Sequence, residues 1–123
     1  MRKYQQYRVW SESLVLVESV YRVSASLPRE ETYGLISQIR RAAVSVPSNL
    51  AEGAGRGTEA DFGRFIDMSI GSLNELETMF QITRRLCFLE QIQVEQVIDQ
   101  IISIRMQLVG LRKKLKPRKK AGS

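Results

Sequence analysis

The sequence predicts an all-α chain folded as an antiparallel up-down four-helix bundle. Three observations carry that prediction. Apolar residues recur at spacings of three and four in four separate stretches, glycine and proline signals divide those stretches, and no alternating strand pattern competes. The last stretch is the cleanest. Val94, Val97, Ile101, Ile104, Leu108, Leu111 and Leu115 form an unbroken run that keeps one helical face toward partner helices.

The first helix is expected over about residues 6–27. Trp10, Leu14, Val17 and Tyr21 make one stripe, and Val9, Leu16, Val20, Val23 and Leu27 make a second beside it. Two adjacent stripes give a face too wide for one neighbour, which suits self-assembly. Pro28 ends this helix, because the residue before a proline resists the α conformation. The second helix is expected to begin near Glu30 and Glu31, whose charges suit a helix N-terminus. Its stripe is Ile36, Ile39, Ala43, Val46 and Leu50. Pro47 lies inside it and predicts a kink near residues 43–46, with a break at Pro47 as the lesser alternative.

Residues 52–58 then read as a loop, with Thr58 followed by Asp61 as the cap of a third helix over about 59–87. Phe62, Ile66, Ser69, Leu73, Leu76, Phe80, Thr83 and Cys87 are in register along it, so Cys87 is expected in the core. Gly71, mid-helix, is expected to mark a close helix–helix approach, since glycine there costs up to about 1 kcal/mol relative to alanine. A turn near residues 88–91 leads to the fourth helix, about 92–115, which Pro117 ends. Residues 1–116 are assigned to the bundle and 117–123 to a basic tail.

Charge is unevenly placed. Of 19 basic and 13 acidic residues in the 123-residue chain, residues 105–123 hold eight basic groups and no acid. The remainder holds eleven against thirteen, so the body is −2 and the end +8. Arg105, Arg112, Lys113, Lys114, Lys116, Arg118, Lys119 and Lys120 are therefore the candidate phosphate contacts, giving sequence-independent affinity for RNA or DNA with a steep salt dependence. A solvated tail and docking to an acidic protein partner are the competing readings. Lipid headgroups are disfavoured because the apolar stripe of the helix is committed to the core. Arg40 and Arg41 are expected on a solvated face or in ion pairs with Glu52, Glu75 or Glu77. Tyr4 and Tyr7, beside Arg2, Lys3 and Arg8, are read first as packing residues and second as base-stacking ones.

Catalytic chemistry finds little to work with. Histidine is absent, which removes the Ser-His-Asp and Cys-His arrangements and the Glu-x-x-His motif of di-iron bundles. No metal or cofactor is expected, and the chain is read as non-enzymatic. Gly53, Gly55 and Gly57 have neither the dinucleotide spacing nor the Lys-Ser/Thr of a phosphate loop. They read as a helix end and linker, with a small anion site at Arg56 and the third helix N-terminus as the alternative. One cysteine allows no intramolecular disulfide, so a reducing, cytoplasmic compartment is expected. The first residues lack an apolar signal core, and no membrane association is expected.

Two segments carry a resemblance. Tyr33 to Gly53, which reads YGLISQIRRAAVSVPSNLAEG, and Gly71 to Thr78, GSLNELET, are similar to four-helix-bundle proteins encoded in intervening sequences of bacterial 23S ribosomal RNA. Accessory variability proteins of diversity-generating retroelements resemble the same bundle. The resemblance implies a homopentameric, barrel-like ring without catalysis. In the retroelement branch it implies binding of template RNA and a reverse transcriptase through basic surfaces. The sequence departs from the family pattern at Cys87-Phe88-Leu89, where a Gly-Tyr pair commonly closes the third helix. A glycine there would supply a left-handed cap, so the geometry of this turn is in question.

Overall fold

The structure is a computed structural model that describes residue 4 and residues 7–115. Its helices are α1 (Arg8–Ser24), α2 (Ser37–Ala54), α3 (Glu59–Arg85) and α4 (Gln91–Lys114). Among the described residues there is no strand. Each helix packs on its chain neighbours and α4 closes back on α1, with the α2–α3 interface the most extensive. The core includes Leu16, Ile39, Val46, Ile66, Leu73, Phe80, Ile101 and Leu108, all essentially inaccessible to solvent. The predicted tail at 117–123 lies outside the described residues.

Only one of the two α1 stripes is core. Val9, Leu16, Val20 and Leu27 are buried, with Ser13 and Ser24 on the same face. In the Trp10 stripe, Leu14 and Tyr21 remain 37% and 43% exposed while Trp10 and Val17 are half-buried against the core, so that stripe is only partly covered by the bundle. α1 also ends earlier than expected. The amides of Ser26 and Leu27 donate to the carbonyls of Val23 and Ser24, a tightening of the last turn before Pro28.

The approach to α2 differs from the predicted helix start at Glu30. Arg29–Glu31 form a 3₁₀ turn and Thr32–Ile36 a π-helical turn, and the α-helix proper begins at Ser37. The Glu31 carboxylate accepts the Leu35 amide, which satisfies one donor of the wide turn. α2 runs through Pro47 to Ala54 without a break. Val46 and Pro47 are buried, and Ser69 Oγ on α3 donates to the Val46 carbonyl at 2.9 Å, so tertiary packing holds this segment helical. Ser45 and Ser72 add a hydroxyl–hydroxyl bond of 2.6 Å across the same interface.

Glu52 and Gly53, expected in a loop, belong to the last turns of α2. A Cβ at Gly53 would stand 2.5 Å from Cβ of Phe65, so the glycine permits close contact with α3. Gly57 takes φ of +91° in the linker. Thr58 caps α3 as the sequence suggested, its Oγ accepting the Asp61 amide at 3.1 Å. The close approach expected at Gly71 is absent, because a Cβ there would meet nothing within 4 Å.

Cys87 corrects another expectation. It is exposed, with φ of +59°, and does not continue the core stripe. The Cys87 amide donates to the Arg84 carbonyl and the Phe88 amide to the Thr83 carbonyl, both at 3.0 Å. These are the two bonds of a Schellman cap, with a cysteine where glycine is usual. The helix therefore closes in the expected geometry on a residue that carries a side chain. Three residues on, Glu90 and Gln93 form a reciprocal capping box that starts α4.

Candidate nucleic-acid interface

In an up-down bundle the start of α1, the end of α2, the start of α3 and the end of α4 share one pole. The side chains bear this out: Tyr7 meets Phe62 with ring centroids 5.6 Å apart, and Leu115 lines a small cavity with Tyr7, Gly57 and Thr58. The C-terminal cations of α4 thus reach the pole that also carries Arg8, Arg56 and Arg64. Sequence reading found the first group and missed Arg8 and Arg64 as their neighbours, because only topology brings them together.

Most of the arginines at this pole are already engaged. Arg8 Nε donates to Glu12 at 2.8 Å, Arg56 Nη2 to Glu52 at 2.9 Å, and Arg64 lies 4.0 Å from Asp61. The guanidiniums of Arg56 and Arg64 both lie over the Phe65 ring, at 5.0 and 4.7 Å. At the small anion site considered at Arg56, the guanidinium is paired with Glu52. Thr58 already caps the helix, and Glu59 and Asp61 put negative charge in its first turn, where a phosphate would be repelled.

Two of the eight candidate phosphate contacts are tied into the bundle. Arg105 Nη1 donates to Glu77 Oε1 at 2.8 Å and to Asn74 Oδ1 at 2.9 Å, joining α4 to α3. Arg112 Nε donates to Asp67 Oδ1 at 3.0 Å. Its guanidinium lies across Gly63, where an added Cβ would stand 2.7 Å from Cζ. Lys113 and Lys114 are different. Both are exposed on the last turn of α4, and neither has an ion-pair partner among the described residues. Lys116, Arg118, Lys119 and Lys120 lie outside the described residues.

Arg40 takes neither predicted role. Its Nε donates to Ser24 Oγ at 2.9 Å, its Nη2 to the Tyr21 carbonyl at 3.3 Å, and its guanidinium sits 4.5 Å from the Tyr21 ring centroid. It fastens α2 to the end of α1. Tyr4 and Tyr7 are packing residues as first read, Tyr4 edge-on to Trp10 at 5.0 Å and Tyr7 against Phe62. Beside Tyr4 and Trp10, the outer α1 stripe and α2 form an open apolar groove of about 290 Å³, lined also by Leu14, Val17, Val44 and Pro47. Trp10, Leu14 and Val17 were singled out from spacing, whereas Val44 was not, since it lies off the α2 core stripe.

No helix among the described residues is long and apolar enough to cross a membrane. No curated protein matches the chain. Among solved structures, the chain is similar to a protein of unknown function from the S23 ribosomal protein family of Bacteroides thetaiotaomicron VPI-5482. That match has a TM-score of 0.80 at 21% identity and covers 86% of this chain and 99% of the other, a likeness of fold. The sequence model of one family covers residues 5–110, which span α1, α2, α3 and most of α4. The chain belongs to the 23S rRNA-intervening sequence protein family.

Proposed function

We propose that this protein is a non-enzymatic homo-oligomer whose basic pole binds RNA through phosphate contacts. One observation carries the reading: Lys113 and Lys114 stand exposed and unpaired at the end of α4, while the arginines around them are matched with carboxylates. These two lysines lead, in sequence, into Lys116, Arg118, Lys119 and Lys120, so positive charge along the chain is concentrated at and beyond the last turn. Arg105 and Arg112 serve to hold α4 on α3. DNA would satisfy the same contacts, because phosphates carry no sequence information.

Assembly rests on the partly covered stripe of α1 and the groove it forms with α2, a surface containing Trp10 and Tyr21, the residue types that dominate interface energetics. A pentamer would gather about 30 cations if each copy supplied the six that remain, from Lys113 to Lys120, a multivalency that offsets weak single contacts. The narrower reading places the assembly beside the reverse transcriptase of a diversity-generating retroelement, with template RNA as the ligand. It rests on the resemblance of the α2 and α3 segments.

Fluorescence anisotropy of a labelled single-stranded RNA, titrated across salt, tests the proposal. Log affinity should fall with log salt at about −0.7 per phosphate engaged, so replacing Lys113 and Lys114 with Ala should make the slope shallower by about 1.4. Affinity insensitive to salt, or a slope unchanged by the double substitution, would refute the assignment. Co-purification of a reverse transcriptase encoded beside the gene, dependent on RNA, would support the narrower reading.

A further inference from the structure

The outer edge of α4 is a second apolar surface left open by the bundle, and its residues are arranged symmetrically along the helix. At 3.6 residues per turn, Asp99, Ile102, Met106, Gly110 and Lys113 fall within about 40° of one line. That line lies opposite the buried Ile104 and Leu108. Ile102 and Met106 are 40% and 70% exposed, and a Cβ at Gly110 would meet nothing within 4 Å. Asp99 and Lys113 are exposed, and neither takes part in an ion pair among the described residues.

Counting outward from Met106, Ile102 lies four residues back and Gly110 four ahead. Asp99 lies seven back and Lys113 seven ahead. Each matched pair is complementary, a large side chain with an open space and an acid with a base. A surface that complements its own reverse is what an isologous two-fold contact requires, since residue i of one copy must suit residue j of the other and the converse.

We propose that α4 pairs antiparallel with α4 of a second copy, across a two-fold axis at Met106. Ile102 of each copy then fills the space over Gly110 of the other, and Asp99 of each meets Lys113 of the other. The opposite-charge contacts fix direction and register more than affinity. A parallel alignment would set Lys113 against Lys113 and Asp99 against Asp99. This contact is separate from the α1–α2 groove and requires no nucleic acid. It therefore goes beyond the proposed function, competes with phosphate for Lys113 while leaving Lys114 free, and would pair two assemblies back to back.

Disulfide trapping tests the register. Helices in contact run 8–10 Å apart with Cα atoms about 2.3 Å from each axis, so residues facing each other on the dyad have Cα atoms about 5 Å apart, within disulfide reach. The full chain carrying Cys87→Ser and Met106→Cys, oxidised without nucleic acid, should yield covalent dimers on a non-reducing gel. Adding Asp99→Lys should lower that yield about fivefold, as expected for loss of exposed ion pairs with new repulsion. Adding Lys113→Asp to that variant should restore it, because the exchanged charges again face one another.

Absence of the 106–106 link, a yield unaffected by Asp99→Lys, or no rescue by the exchange would overturn the proposal. So would an equal yield from Met68→Cys in the same Cys87→Ser background, since Met68 is exposed on α3 away from this line. All arms read assembly in the absence of RNA, so their failure is distinct from failure of the salt titration.

Discussion

Arg105 on α4 donates to Glu77 on α3 at 2.8 Å, and the same guanidinium nitrogen reaches Asn74 at 2.9 Å. The three side chains tie together two helices whose contacting residues are about thirty positions apart in sequence. That geometry makes Arg105 a structural cation. Arg105→Ala is expected to lower stability by about 1 kcal/mol, since the pair is only partly shielded from water. In thermal denaturation this corresponds to a drop in Tm of roughly 4 °C. The salt slope of RNA binding should not change with this substitution. A reduced slope at unchanged Tm would return Arg105 to the phosphate-binding set.

Cys87 closes α3 in a left-handed conformation that favours glycine. Cys87→Gly is expected to raise stability by about 1 kcal/mol, because the cap bonds to Thr83 and Arg84 come from the backbone and remain. Chemical denaturation would register this as a higher midpoint at constant m-value. Cys87→Val should move the midpoint the other way, as β-branching makes positive φ more costly.

Two glycines should respond in opposite directions to the same change. Gly53→Ala forces a methyl to within 2.5 Å of Phe65 Cβ and is expected to cost about 1–3 kcal/mol through overpacking of the α2–α3 contact. Gly71→Ala meets open space on an exposed helical surface and should stabilise by up to about 1 kcal/mol. Calorimetry on the pair decides this. Equal effects would mean that helix propensity alone governs both sites.

The outer α1 stripe offers a fourth test. Leu14→Glu places a charge in the apolar groove without touching the core, so circular dichroism should report an intact helical fold. Light scattering should show smaller assemblies than those of the unsubstituted protein. Assembly unaffected by this change would remove the groove from the interface.

Periodicity made the architecture readable before any coordinates. The unbroken 94–115 stripe and the Phe62-to-Thr83 stripe both proved buried over most of their length, because a helix with one apolar face has few ways to satisfy it. What spacing does not encode is how each polar side chain is spent. Arg105 and Lys113 look alike in a basic run, yet one faces Glu77 and the other faces solvent, a distinction of helical phase relative to α3. Gly53 and Gly71 were likewise exchanged in role, since only the packed partner helix says which glycine has a neighbour. The cysteine at the α3 terminus escaped for a related reason. Its apolar character fits the stripe, but the left-handed turn begins one residue too early for the stripe to continue.

The seam between α1 and α4 is sewn differently from the rest of the bundle. It is held by Gln107 donating to Glu12 and by Gln100 donating to Ser19 at 3.1 Å, links spanning 95 and 81 residues of chain. The α2–α3 hairpin joins residues 23 and 27 apart through Ser69 and Ser72. Loop-closure entropy grows with the separation bridged, so the central hairpin is cheaper to form and the outer seam is the natural last step of folding. By the same reasoning the molecule should breathe along that line, with amides flanking the α1–α4 joint exchanging with deuterium before those of the central pair.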